Sequence, residues 1–88
     1  MKTLTFKYTK SDNSVSERTL LVMTSPSDAF SGIDVSSLDD NSAAEFLAMA
    51  SKLNDEYLEM MKALQARFDL KHNFRKFLPA GMSDITEI

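Results

Sequence analysis

Apolar and polar residues alternate at the N-terminus. Leu4, Phe6 and Tyr8 interleave with Thr5, Lys7 and Thr9, the period-2 pattern of a half-buried strand. A polar link follows, "KSDNSVSE", in which Asp12, Asn13 and Ser14 are turn formers because their side chains satisfy nearby backbone groups. "RTLLVMT" then reads as a second strand, so residues 3–24 predict an antiparallel hairpin that Ser25-Pro26 ends. Residues 25–41 are rich in serine and aspartate. Within them "FSGIDV" reads equally well as a short third strand, with Gly32 permitting a bend, or as a loop held down by Phe30, Ile33, Val35 and Leu38.

The pattern changes at residue 42. "SAAE" matches a capping box, with Ser42 as N-cap and Glu45 three positions on. No glycine or proline interrupts the chain from Ala43 to Phe68, and strong helix formers dominate. Phe46, Ala50, Leu53, Tyr57, Met60 and Leu64 step by four and three alternately, a heptad seam that Leu47, Leu58, Met61 and Phe68 widen. Lys52–Glu56 and Glu59–Lys62 stand at pairing distance on the other side. The spacing therefore predicts one long helix over residues 42–68.

Such a helix of about 26 residues would be about 39 Å long, whereas a strand of about seven residues covers about 23 Å. A hairpin alone leaves part of the apolar face open. The remainder must meet the C-terminal segment, a second copy or another partner. In the segment 69–88, Leu70, Phe74, Phe77 and Leu78 fall on one helical face, which predicts a short basic helix or turn closed by Pro79 and Gly81. "MSDITEI" reads as a loose tail. The predicted fold is α+β: one domain over 1–88, with a two- or three-stranded antiparallel sheet packed on one long helix.

Composition adds bounds. The 88 residues are 43% hydrophobic and 26% charged, with a formal charge of −3, which gives no support for general nucleic-acid binding. There is no cysteine to form a disulfide or to act as a thiolate. The N-terminus lacks the apolar run of a signal peptide and no stretch of apolar residues is long enough to span a membrane, so a cytoplasmic address is expected.

Candidate chemistry is sparse. His72 is the one histidine, so a His-based metal site would need carboxylates to complete it; two glycines cannot make a phosphate loop; no nucleophile-elbow motif is present. "DVSSLDDNSAAE" fails as a calcium loop, because Leu38 takes a ligand position and Asp39 stands where the turn needs glycine. A non-enzymatic protein without cofactor or metal is expected.

Charge is unevenly spread. Between Asp28 and Glu59 there are eight acidic residues and one lysine; between Lys62 and Lys76 there are five basic residues and one aspartate. "RFDLKHNFRKFL" thus offers Arg67, Lys71, His72, Arg75 and Lys76 as contacts for nucleic acid or an acidic protein, or as a solvated rim over buried phenylalanines.

The hairpin "LTFKYTKSDNSVSERTLLV" (residues 4–22), with Phe6, Tyr8, the polar turn and Ser16-Glu17-Arg18-Thr19, resembles the opening strand pair of WYL domains, bacterial regulatory modules with a small β-barrel. The chain has no tryptophan, so the naming Trp-Tyr-Leu motif is absent, and the resemblance implies no functional residue.

The leading functional expectation is a small adaptor- or inhibitor-like interaction protein of bacterial or phage kind. It would self-associate as a homodimer through Phe46, Leu53, Tyr57, Met60, Met61 and Leu64, with Met49, Met60 and Met61 as an adaptable surface. The alternative is a nucleic-acid-associated regulator using the basic segment 67–76, and a small-ligand pocket between hairpin and helix is a third reading.

Overall fold

A computed structural model of the protein describes residues 2–24, 28–53 and 57–88. The predicted hairpin is present as β1 (Lys2–Thr9) and β2 (Val15–Thr24), paired antiparallel with Leu4 opposite Leu20 and Phe6 opposite Arg18. Its turn uses the expected chemistry: the Asp12 carboxylate accepts the Ser14 N–H at 2.9 Å and the Ser14 hydroxyl at 2.6 Å, while Asn13 takes a left-handed φ of 69°.

Of the two readings of "FSGIDV", the strand is the one formed. β3 (Phe30–Asp34) pairs antiparallel with β2, and Gly32 lies so close to β2 that a Cβ would sit 1.9 Å from the Leu21 carbonyl oxygen. Arg18 Nη1 donates to the buried Asp34 carboxylate at 2.9 Å, and the Ser36 N–H donates to its other oxygen at 2.9 Å, which fastens the end of β3 to β2.

Three expectations are overturned downstream. The single long helix is instead two short ones, α1 (Asp40–Ala50) and α2 (Leu58–Arg67). Their apolar residues explain the break. Folding back brings Met61 and Leu70 against Phe46 and Ala50 in one core with Leu21, Ile33 and Val35, and sets the Phe46 and Phe68 rings edge to face at 5.6 Å. Two helices of about 15 Å each also remove the length mismatch that one helix would have with the strands. Ser51 ends α1, its hydroxyl donating back to the Ala48 carbonyl at 2.8 Å. The Glu59–Lys62 pair forms at 3.3 Å on the exposed surface, whereas Glu56 lies outside the described residues.

The N-cap is Asp39, not Ser42: its carboxylate accepts the Ser42 N–H at 2.7 Å, so the helix starts three residues before the capping box suggested. At the other end α2 closes in a Schellman motif with Asp69 in the left-handed region at φ 59°. The Asp69 N–H donates to the Ala66 carbonyl at 3.1 Å and the Leu70 N–H to the Gln65 carbonyl at 2.7 Å, and the buried Leu70 supplies the accompanying hydrophobic contact.

The C-terminal segment is neither helix nor loose tail. β4 (Phe74–Phe77) pairs with β3, and β5 (Met82–Glu87) pairs with β1, completing an antiparallel sheet of order β4-β3-β2-β1-β5. Edge strands β4 and β5 are therefore joined by only the four residues 78–81, with a 3-10 turn over Pro79–Gly81. That link requires the sheet to curl. Phe6 in β1 and Phe77 in β4 would stand about 14 Å apart across a flat sheet, yet their ring centroids are 5.1 Å apart, and Tyr8 lies 4.9 Å from Phe77. The concave face so formed buries Leu4, Phe6, Leu20, Val22 and Phe77, and no residue of α1 or α2 belongs to that cluster. Gly81 fits beneath Tyr8, whose ring a Cβ there would meet at 2.8 Å. No described helix is long and apolar enough to cross a membrane.

Two outcomes follow from these contacts. Gly32→Ala forces β3 off β2 and is expected to destabilise the domain by about 3 kcal/mol or more, which urea unfolding will measure; an unchanged midpoint would contradict the close approach. Asp39 behaves differently. The Ser42 N–H first, and the Ser42 hydroxyl second, hold its carboxyl below the ordinary value of 3.8. The folded value being the lower, the cap stabilises above the unfolded pKa and its contribution is lost as pH falls through the folded value. Helix content followed by circular dichroism is expected to fall below about pH 4, and Asp39→Asn, which keeps a cap, is expected to remove that part of the acid dependence.

Candidate functional site

The predicted interface residues divide between two environments. Phe46 and Met61 are buried in the core at 0% and 3% exposure, so neither is available to a partner. Their heptad spacing served internal packing. Leu53 and Leu64 are half-buried, whereas Tyr57 and Met60 are exposed at 44% and 55%. Together with Met49 and Lys52 these four line a groove of about 480 Å³ between the helices. Leu58, 53% exposed, projects from the first turn of α2 beside Tyr57, its N-cap residue.

Local sequence accounts for the groove. α1 turns its Phe46–Ala50 stripe to the sheet and leaves Met49 on the flank, while α2 buries Met61 and leaves its neighbour Met60 outside. The α1–α2 corner at 51–53 then opens the two helices around Leu53. Met49 was legible as part of the methionine set, but the placing of Lys52 at the rim depends on the break in the helix.

The basic residues are similarly divided. Arg67, in the last turn of α2, lies 3.8 Å from Glu45 and 5.8 Å from the Phe68 ring, so it belongs to the helical layer. Lys71 and His72 occupy the turn before β4, and Arg75 and Lys76 lie on β4 itself, all exposed. Asn73 positions this group: its side chain donates to the Asp34 carbonyl at 3.2 Å, and its carbonyl accepts the Asp34 N–H at 2.9 Å. Of the four apolar residues expected on one helical face, Leu70 and Phe77 are buried, while Phe74 and Leu78 are 52% and 49% exposed. An exposed phenylalanine next to Arg75 and Lys76 is the feature the helical reading missed.

A second hollow is lined by Phe6, Lys7, Glu17, Arg18 and Asp84 among others, with Lys7 3.4 Å from Asp84 and Arg18 2.9 Å from Asp34. Comparison with known proteins finds no matching family model, no matching characterised relative and no matching solved structure.

Proposed function

We propose that the chain is a non-enzymatic protein-interaction domain that pairs with a second copy of itself through the groove between α1 and α2. One observation carries this reading: an apolar hollow lined by Met49, Leu53 and Leu64 has the exposed side chains of Tyr57 and Met60 on its wall. Knob and hole on one patch are what a two-fold contact needs, since each copy presents both. Methionine-lined surfaces adapt readily to such packing. A continuous coiled coil is not part of the proposal, because the long helix it would need is broken. The resemblance of residues 4–22 to WYL domains adds no functional residue to this reading.

Sedimentation over a wide concentration range tests the pairing. The wild type is expected to form dimers, and Met60→Glu to weaken them by roughly 2 kcal/mol, about thirtyfold, because a carboxylate would enter an apolar contact. Met60 being exposed in the single chain, the variant should melt with the wild type at concentrations where both are monomers. A wild type that stays monomeric at every concentration overturns the reading.

A further inference from the structure

We propose that the outer edge of β4 binds an extended acidic peptide as a sixth strand. β4 pairs with β3 on one side only, and although four residues join it to β5 the two are not neighbours in the sheet. Among the described residues no strand pairs with its other edge, the setting in which a peptide gains main-chain hydrogen bonds by strand addition. The segment that carries this edge has one sign of charge. Residues 70–81 carry Lys71, Arg75 and Lys76 and no acidic residue, in a chain whose net charge is −3.

Register sets what the added strand should look like. Lys76 lies opposite Ser31 and Phe74 opposite Ile33, so Phe74 and Lys76 share one face, and Arg75, opposite Gly32, projects from the other. An antiparallel strand read from its N-terminus would place an acidic residue against Lys76, another against Arg75, and an apolar residue against the half-exposed Phe74 ring. In the free protein Arg75 Nη1 donates to the carbonyls of His72 at 2.8 Å and Phe74 at 3.3 Å. An incoming carboxylate can take that guanidinium over, which releases both carbonyls beside the edge as the ligand arrives.

Cations on an edge strand also deter pairing. Here the deterrent is selective: a second β4 or any basic strand is repelled, while an acidic strand is attracted. The open backbone favours a peptide over nucleic acid, which would use the cations and Phe74 but not the edge. This proposal does not depend on pairing through the helical groove, whose residues lie elsewhere.

The probe is a fluorescent synthetic peptide with an acid–acid–apolar centre, measured by anisotropy against the full chain and its Met60→Glu variant. Two derivatives carry N-methyl groups on alternate residues, one series on each backbone edge of the peptide. Binding is expected to survive Met60→Glu, to weaken at least about tenfold in Arg75→Glu/Lys76→Glu, and to be lost for only one of the two methylated series. Equal binding of both series, or of a scrambled peptide of equal charge, would reduce the contact to diffuse charge attraction and overturn the proposal. So would the absence of peptide binding at about 50 mM salt, or a single-stranded oligonucleotide binding the same residues more tightly than the peptide.

Discussion

Phe77 reaches across the concave face of the sheet to the rings of Phe6 and Tyr8, edge to face at 5.1 and 4.9 Å, and most other features depend on the curl that this contact requires. Consecutive strands β4 and β5 can occupy opposite edges with four residues between them only because those edges are drawn round toward each other. The same curl buries Leu4, Leu20 and Val22 with Phe77, so one side of the sheet needs no helix. Helices then have only the convex side to cover, and two short ones suffice. An 88-residue chain has little apolar surface to spare; packing both faces of β2, with Leu20 and Val22 to one core and Leu21 to the other, is how it makes two clusters from one strand.

What the sequence reveals tracks how local the deciding force is. The hairpin was legible because alternation in β1 and the Asp12–Ser14 turn are both short-range. The unbroken Leu20-Leu21-Val22 run is the trace of a strand buried on both faces. The helix break was not legible. Propensity alone carries the chain past Ser51, and the choice to turn is made by Met61 and Leu70, which reach the Phe46 core only if the chain folds back. β5 was hidden for another reason. Asp84, with φ 53°, lies where the pairing with β1 shifts register, so Met82, Ile85 and Ile88 recur at three rather than two and no strand period survives.

The candidate surfaces were half legible on the same grounds. A heptad spacing marks residues that face an apolar neighbour, and it does not say whether that neighbour is the same chain. Phe46 and Met61 found theirs inside, whereas Tyr57 and Met60 did not. In "RFDLKHNFRKFL" the period of Leu70, Phe74 and Phe77 suits a helix, but Asp69 closes α2 first and Asn73 locks the following residues to Asp34. Once in a strand, neighbours separate to opposite faces, and Phe74 parts from Phe77.

Charge placement bears on what that edge can hold. Lys71, Arg75 and Lys76 are three of ten cations, and all thirteen acidic residues lie outside 70–81. Screening confines each charge to about 8 Å at physiological salt, while the molecule extends 36 × 29 × 22 Å. A long polyanion laid over β4 therefore runs on past the reach of these three cations. A short extended peptide ends where the cations end. Its backbone also meets the amides and carbonyls along the unpaired edge of β4, for which a sugar-phosphate chain has no matching ladder. The restricted span of the positive charge and the open strand edge thus select the same kind of ligand for two independent physical reasons.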